Sequence, residues 1–430
     1  MSMNTVPERL AALRAAMQAN GVDVYLIPVG DPHSSEYLPD HYTSLTYFSG
    51  FHGENSNFVV TMTESAVWAD GRYFVQAEKE IAGTEIQLMK MGEPGVPTVE
   101  EYCAKVVPEG GKLGLCGLTA SCALVNSVKK ALETKNAAIK TLFLEDELWT
   151  EGRPALPATP AWILPKEYAG FSPAEKLGQL RAKLAELGCT AQLVGKLDNL
   201  AWLLNLRGGD VACNPVVLSY LSLTQDSAVL FANPAVFSPA VLEQLEADGV
   251  SLRPYESVYS YVGRLTPSQR VMLDTRRINT TLLTSIPSHV SVMDRPNPTA
   301  LRKAIKNPVE IANMKQAHLA DGIALTRFMY WLKTQVGSQP ITERSAAAQL
   351  EAFRRACPLY LQPSFAPILA AGPHSAIVHY SATPESDRAV TGQGFLLADT
   401  GGHYYTGTTD CTRTYALGPL SEQEKTHYTA

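Results

Sequence analysis

The residues with the clearest potential for chemistry lie between positions 395 and 417, where two aspartates stand eleven residues apart. Phe395 to Ala398 form a short apolar run that is typical of a strand, and this run ends at Asp399. A Thr-Gly-Gly turn follows, and the β-branched and aromatic residues after it predict a second strand. An antiparallel hairpin would bring Asp399 and Asp410 to the same end of a sheet. The period of two then places four polar residues on one face of the second strand, namely Thr408, Asp410, Thr412 and Thr414.

This pair of carboxylates predicts a cation between them, because two like charges in one site repel each other. A polar stripe beside a strongly apolar strand is also unfavourable unless something pairs with it. Oxygen-rich ligation suits a hard divalent ion such as Mn²⁺, Mg²⁺ or Ca²⁺ better than thiolate chemistry does. The spacing alone leaves a simpler alternative open, in which Asp399 caps a turn, Asp410 pairs with Arg413 and the threonines merely favour a strand.

A second candidate is the segment from Gly372 to Tyr380, in which a Gly-Pro turn leads into a short apolar strand ending at His379. This arrangement would aim His379 into a cleft as a general acid or base, or as a hydrogen-bond partner of a substrate. The alternative, a histidine satisfied within the core, stays open. His318 lies on the apolar face of a predicted helix and is interpreted as buried and structural.

Arg72 belongs to the sequence Asp70-Gly71-Arg72-Tyr73, which is interpreted as a turn after a strand. The arginine is expected to pair with a surface acid. The sequence contains no H-E-x-x-H, G-x-S-x-G or Walker pattern, so these well-known active sites are excluded.

An internal repeat at an offset of 167 residues organises the chain up to about residue 300. Each copy begins with a capping box, continues with apolar residues at helical spacing, and ends its helix at a glycine before an apolar strand. Two strands joined by a turn follow in both copies, which predicts two related α/β domains. The residues Thr5, Glu8, Leu10, Leu13, Arg14, Met17, Gly21 and Asp31 recur as Ser172, Glu175, Leu177, Leu180, Arg181, Leu184, Gly188 and Asp198.

Proline-rich segments at 153–165 and 287–298 are interpreted as linkers. They predict an N-terminal α/β domain over residues 1–155, a second α/β domain over 156–300 and a different domain over 301–430. The third domain opens with a helix from Asn307-Pro308 to about Val336, whose apolar face is predicted to include Ile311, Met314, His318, Leu325, Phe328 and Leu332.

The composition excludes several classes of protein. With 45% hydrophobic and 18% charged residues, the 430-residue chain has enough apolar material for about three domains at ~150 residues each. A net charge of −6 without a block of like charge argues against a nucleic-acid partner or a membrane surface. The seven cysteines include no C-x-x-C pair, which favours reduced thiols in the cytoplasm.

Several of these segments resemble the Xaa-Pro aminopeptidases, in the long three-domain form of the pita-bread metallopeptidase family. Residues 397–402 and 407–414 are similar to the family's first metal-ligand segment, and 372–380 to its substrate-side histidine segment. Residues 68–74 and 201–208 resemble its first and second domains. The resemblance implies an α/β fold class with two related creatinase/prolidase N-terminal-type α/β domains, followed by a partial pita-bread (α+β) metallopeptidase domain.

The resemblance also implies a dinuclear site, usually Mn²⁺, with Asp399 and Asp410 as its first two ligands. A hydroxide bridging the two ions would attack the peptide carbonyl and release an N-terminal residue that precedes proline. His379 would contact the substrate near the scissile bond and help to move protons. Relatives of this form are usually homodimers, and Arg72 would reach the partner's active site.

The family's remaining ligands, a His and two Glu, lie downstream of the positions matched here. Two carboxylates cannot complete the shells of two Mn²⁺ ions. We therefore expect the 430-residue chain to be a fragment of a longer enzyme that is inactive alone, with an incomplete third domain.

Two alternatives remain. A prolidase-type dipeptidase shares the catalytic fold but normally has one N-terminal domain. A catalytically inactive peptidase-like binding protein would keep the fold without the chemistry, although it would have little reason to retain Asp399, Asp410 and His379.

Overall fold

The computed structural model describes residues 5–430, which form two compact units. The first unit extends to Ile163 and continues over Phe171–Ile305, and the second comprises Leu164–Gly170 and Lys306–Ala430. Within residues 5–430, no helix combines the length and the apolar character needed to cross a membrane.

The first domain of the larger unit is a six-stranded sheet with helices on its faces. Its helices are α1 (Val6–Ala19), α2 (Ser44–Ser49), α3 (Phe74–Glu80), α4 (Val99–Val106), α5 (Cys122–Leu132) and α6 (Leu144–Leu148). Its strands are β1 (Val24–Pro28), β2 (Asn57–Thr61), β3 (Ser65–Ala69), β4 (Gln87–Lys90), β5 (Lys112–Leu115) and β6 (Ala138–Thr141). The spatial order of the strands is β4-β3-β2-β1-β5-β6.

The strand β7 (Trp162–Ile163) and the short helix α7 (Lys166–Ala169) connect to the second domain. Its helices are α8 (Pro173–Glu186), α9 (Leu197–Leu203), α10 (Pro239–Ala247), α11 (Ser257–Val262), α12 (Thr280–Ser285) and α13 (Pro298–Ala304). Its strands are β8 (Ala191–Val194), β9 (Leu206–Arg207), β10 (Ser219–Thr224), β11 (Ala228–Ala232), β12 (Val250–Arg253), β13 (Arg270–Leu273) and β14 (Ser291–Asp294). The main sheet has the order β12-β11-β10-β8-β13-β14.

The two sheets have the same topology, which confirms the predicted relationship between the two α/β domains. In each, the first strand pairs antiparallel with the second long strand and parallel with the strand on its other side. Both capping boxes form, at Thr5 with Glu8 and at Ser172 with Glu175. Gly21 and Gly188 follow the two helices at φ of 63° and 64°, a conformation that glycine adopts without steric cost.

The two domains join through equivalent positions. Ser121 and Asn279 each cap the helix that follows the parallel strand beside β1 or β8, and they form an antiparallel bridge. The backbone N–H of Cys122 donates to Ile278 O at 3.1 Å, and that of Thr280 donates to Ala120 O at 3.0 Å. The contact is therefore reciprocal between the repeats.

The interpretation of residues 287–298 as a linker is wrong. They contain β14, which pairs parallel with β13 at the edge of the second sheet, and α13 begins at Pro298. The prolines lie at the two ends of the segment, so the four residues Ser291–Asp294 between them keep backbone N–H groups that can donate hydrogen bonds to the neighbouring strand.

The smaller unit packs two helices on one face of a three-stranded sheet. Its helices are α14 (Pro308–Gln335), α15 (Glu343–Arg355) and α16 (Glu422–Thr429), with a 3₁₀ helix at Gly372–Ala376. Its strands are β15 (Tyr360–Pro363), β16 (Ile368–Ala371), β17 (Phe395–Thr400), β18 (Gly402–Tyr404), β19 (Gly407–Thr408) and β20 (Cys411–Ala416). The sheet order β16-β17-β20 carries the core, in which Phe328 and Leu332 of α14 pack with Leu396 and Tyr415.

The helix α14 forms as predicted and buries Phe328 and Leu332 of the predicted face, but its first half buries other residues than predicted. Ile311 and His318 are exposed, so the interpretation of His318 as a buried residue is wrong. The small residues Ala317 and Ala324 are buried instead, at helical spacing from the buried Asp321, which pairs with Arg354 of α15. Small side chains on this side of α14 are compatible with a close approach of a second helix.

Candidate metal centre

The hairpin predicted from residues 395–417 forms, and it brings both aspartates to one end of the sheet. The strands β17 and β20 pair antiparallel, with Asp399 opposite Thr412. Asp410 directly precedes β20 and lies two residues before Thr412, so the period of two places it on the side of Asp399. Thr408 does not share this strand, because the chain first makes the small β18–β19 hairpin in another sheet.

Tight backbone packing holds the two aspartate segments together. A Cβ atom on Gly401 would lie 2.1 Å from Thr409 O and 2.1 Å from Ser364 Oγ, so only glycine fits this crossing. Thr409 donates its N–H to Gly402 O at 2.9 Å, and its hydroxyl accepts from Gly402 N at 3.0 Å. These contacts fix the residues that immediately flank Asp399 and Asp410.

The donor chemistry at this end of the sheet fits a hard divalent ion. Asp399 Oδ1 accepts from Thr412 Oγ1 at 2.7 Å. Asp410 is exposed, and its carboxylate has no hydrogen-bond partner or ion pair within residues 5–430, so the expected alternative of pairing with Arg413 does not occur. Both carboxylates thus keep oxygen atoms available for a cation. Across the described part of the chain, no group of three or more His, Cys, Asp or Glu side chains is arranged to hold a metal ion.

A buried polar cluster supports the strand that carries Asp399. Arg354 and Asp321 form an ion pair in which both side chains are 3% exposed, with Arg354 Nε donating to Asp321 Oδ1 at 2.7 Å. Arg354 Nη2 also donates to Thr400 Oγ1 at 3.0 Å, and Tyr404 OH donates to Asp321 Oδ1 at 3.0 Å. Burial first, and then the charge of Asp321, raise the pKa of Tyr404 well above its usual range. The cluster fixes Thr400, the next residue after Asp399.

The segment that carries His379 does not contain the predicted strand. Residues Gly372–Ala376 form a 3₁₀ helix that contacts β16 and β17, and His379 lies half-buried in the turn after it. Glu343, which is fully buried, accepts from the N–H groups of Ala371 at 2.7 Å and Arg388 at 3.2 Å.

Two side chains beside His379 complete the Glu343 cluster. His374 Nδ1 lies 3.0 Å from Glu343 Oε1, and Tyr380 OH donates to Glu343 Oε2 at 2.8 Å. Burial raises the pKa of Tyr380 to about 12, with a smaller effect from Glu343. The carboxylate of Glu343 accepts hydrogen bonds from both ends of this loop and holds them together. The short apolar run therefore forms a turn and not an extended strand.

Arg72 lies in the first domain and forms the expected ion pair with an acid. Its guanidinium donates to both oxygens of Asp70, from Nη2 at 2.7 Å and from Nε at 3.0 Å. The hydrogen bonds from Arg72 lower the pKa of Asp70 to about 2. Arg72 belongs to the larger compact unit, whereas Asp399, Asp410 and His379 belong to the smaller one.

Sequence reasoning missed the buried charged residues Asp321, Glu343 and Arg354. One of them left a signal: Asp321 continues the spacing of Ala317, Ala324 and Phe328 on the buried side of α14. A charge at such a position requires a partner, which predicts a cation on the adjacent helix.

Comparisons with known proteins agree with this architecture. Two families described as Creatinase/Prolidase N-terminal domain match residues 9–145 and 152–310. The family described as Metallopeptidase family M24 matches residues 312–430.

Whole-chain relatives carry consistent names. The chain is 34% identical to "Aminopeptidase P2" of Arabidopsis thaliana, over 99% of this chain and 64% of that one. It is 34% identical to "Probable Xaa-Pro aminopeptidase P" of Sordaria macrospora, over 100% of this chain and 72% of that one. The structure matches an X-prolyl aminopeptidase of Caenorhabditis elegans, a cytosolic enzyme with a di-nuclear active site, at a TM-score of 0.93 and 30% identity, over 98% of this chain and 71% of that one.

Proposed function

This chain belongs to the Xaa-Pro aminopeptidase P family of M24 metallopeptidases, and we propose that it takes part in peptide hydrolysis. The substrates are peptides with proline in the second position, and the bond that is cleaved follows the N-terminal residue. The observation that supports the proposal most directly is the β17–β20 hairpin, which brings Asp399 and Asp410 to one end of a sheet. The chain spans 64% of the length of the Arabidopsis relative, so the proposal concerns the whole protein to which these residues belong.

Asp399 and Asp410 are proposed as metal ligands, with two divalent ions, a Mn²⁺ pair, as the cofactor. Bound divalent ions of this kind supply a water of lowered pKa and polarise the peptide carbonyl. Thr412 orients Asp399 by donating to Oδ1, and the Arg354–Thr400 hydrogen bond holds the end of β17 on the other face. The protein thereby holds the carboxylate of Asp399 in place before a cation arrives.

His379 is proposed to contact the substrate near the scissile bond and to hold or pass a proton there. Its turn is anchored by the neighbouring Tyr380, whose hydroxyl donates to the buried Glu343. A residue on a closed loop keeps its orientation better than one on an open loop, which suits positioned proton transfer.

A dedicated site for X-Pro bonds makes chemical sense. Proline has no backbone N–H, so a peptidase that binds the substrate as a β-strand loses one hydrogen bond at this position.

We further propose that the protein acts as a homodimer in the cytoplasm and that Arg72 contributes to substrate binding. Its bidentate bond to Asp70 would hold the guanidinium in one orientation for that purpose.

Metal binding tests the site directly. We expect isothermal titration calorimetry to detect Mn²⁺ binding to the 430-residue chain, and Asp399→Asn or Asp410→Asn to weaken it at least tenfold. Asp226→Asn, which changes an exposed carboxylate in the β10–β11 turn, is the matched control. Equal Mn²⁺ affinity in the parent, the two ligand variants and the control would refute the proposal that Asp399 and Asp410 bind the metal.

Activity is tested with the protein expressed from its complete coding sequence. We expect release of arginine from Arg-Pro-Pro with Mn²⁺ present, and loss of turnover in His379→Ala with Mn²⁺ affinity unchanged. Two carboxylates do not complete two Mn²⁺ shells, so residues 1–430 alone are expected to leave the peptide intact. Cleavage of Ala-Pro without cleavage of Arg-Pro-Pro would instead identify a dipeptidase, and peptide binding without cleavage would identify a binding protein.

A further inference from the structure

A cavity of about 410 Å³ lies in the second α/β domain, where the parallel strands β8 and β13 end. In the strand order of this sheet, the strand after β8 in the main sheet, β10, lies toward one edge, whereas β14, the strand after β13, lies toward the opposite edge. Open α/β sheets bind their ligands at such a point, outside the carboxyl ends of two strands whose connections diverge. The volume lies in the range of small-molecule sites.

The charge of the cavity contrasts with that of the whole chain. Four cationic side chains and two acidic ones line it, whereas the chain has a net charge of −6. Asp198 pairs with Lys303 and lies 3.8 Å from Lys196, and Asp274 pairs with Arg276 at 3.1 Å. Arg277 makes no side-chain hydrogen bond or ion pair to any residue of the 5–430 range, so its charge remains available. The lining therefore carries an excess of positive charge.

A buried amide in the same cavity lacks a partner. Asn199 is 3% exposed, and its Oδ1 has no hydrogen-bond partner within the described chain. Burying an amide oxygen without a hydrogen bond is unfavourable. An acceptor left unpaired in this position is explained if a ligand supplies a hydrogen-bond donor to it.

The first domain shows that the fold does not require this cavity. At the corresponding ends of β1 and β5, Gly30 packs so closely that a Cβ atom on it would lie 2.5 Å from Thr119 O. Asp31, the counterpart of Asp198 in the repeat, accepts from the N–H groups of His33 and Ser35 and is 2% exposed. The same edge is thus closed in one repeat and open in the other.

We propose that this cavity binds a small hydroxylated organic anion, whose carboxylate or phosphate group meets Arg277 and whose hydroxyl group donates to Oδ1 of Asn199. The apolar part of the ligand would lie against Ile278 and Ala300, which also line the cavity. The residues that line the cavity belong to the larger compact unit, whereas the proposed metal ligands belong to the smaller one. The proposal does not depend on peptidase activity.

Calorimetric titration with mandelate, glycerol 3-phosphate and neutral benzyl alcohol tests the proposal. We expect at least one anion to bind and benzyl alcohol not to bind; the anion that binds identifies the class as phosphate esters or carboxylates. Arg277→Ala should weaken binding about tenfold, as expected for the loss of one charge-assisted hydrogen bond. Arg264→Ala, an exposed arginine of the same domain outside the cavity, should leave binding unchanged.

Asn199→Leu separates a ligand role from a structural one. It removes the unpartnered amide at similar volume, so we expect it to weaken anion binding while raising the melting temperature of the unliganded protein. The proposal is overturned if neither anion binds at millimolar concentration, if benzyl alcohol binds equally well, or if binding survives both Arg277→Ala and Asn199→Leu.

Discussion

Glu145 offers a direct test of how burial controls stability in the first domain. It lies on α6, is 2% exposed, and accepts from Tyr25 OH at 2.5 Å through Oε2. Its Oε1 has no hydrogen-bond partner among residues 5–430. Burial raises the pKa of Glu145 from 4.5 to about 7, and the hydrogen bond from Tyr25 offsets only part of that effect.

The sign of the effect on stability follows from the two pKa values. The unfolded chain releases this proton near pH 4.5, whereas the folded protein keeps it until about pH 7. The contribution of Glu145 to stability is therefore greatest below pH 4.5 and decreases as the pH rises toward and through 7. At ~1.4 kcal/mol per pH unit, the free energy of unfolding falls by about 2.5 kcal/mol between pH 5 and pH 8 from this group alone.

Glu145→Gln should remove this pH dependence, because glutamine does not ionise and can still accept from Tyr25. Urea unfolding followed by tryptophan fluorescence at pH 5, 6, 7 and 8 measures it. We expect the stability of the variant relative to the parent to increase by about 2.5 kcal/mol from pH 5 to pH 8. Glu147→Gln, an exposed position on the same helix, is the control and should follow the parent. Parallel profiles for parent and Glu145→Gln would refute the reasoning.

Three further predictions concern other parts of the chain. Arg354→Met should destabilise the protein by about 3–5 kcal/mol in urea, because it leaves the charge of Asp321 buried without a cation, and adding Asp321→Leu should restore much of the loss. A double variant that is no more stable than the single one would contradict this. Burial lowers the pKa of His33 below 6.5, so its contribution to stability is lost as the pH falls below that value. Between pH 7 and pH 5 the melting temperature should therefore fall less steeply in His33→Gln than in the parent. An equal fall in the two proteins would contradict the lowered pKa of His33. Gly30→Ala should lower the melting temperature by several degrees, while Gly71→Ala, where a Cβ meets nothing within 4 Å, should not; equal melting temperatures would show that the Gly30 loop adapts.

The sequence alone predicts the secondary structure correctly wherever a local pattern of residues determines it. The capping boxes at Thr5 and Ser172 start helices of fourteen residues each, and glycines in the left-handed region follow them. The β17–β20 hairpin was likewise predictable, because a strongly apolar strand, a Gly-Gly turn and a β-branched run follow one another.

Tertiary contacts decided what the sequence alone did not. The run before His379 has strand-forming residues but no partner strand, and Glu343, from α15, closes it into a loop instead. The Asp321–Arg354 pair joins residues 33 positions apart on two helices, so it appears only once the packing of those helices is known. Local propensity is a weak prior in such places.

The reciprocal bridge between Ser121 and Asn279 has a consequence for assembly. Equivalent positions that exchange two backbone hydrogen bonds are what a two-fold axis produces in a symmetric dimer. In this chain the two halves are one polypeptide, so their association no longer depends on protein concentration. The two repeats therefore meet as the halves of a symmetric dimer do, yet as separate segments of one chain they can differ from each other, as the open cavity in one and the closed edge in the other illustrate.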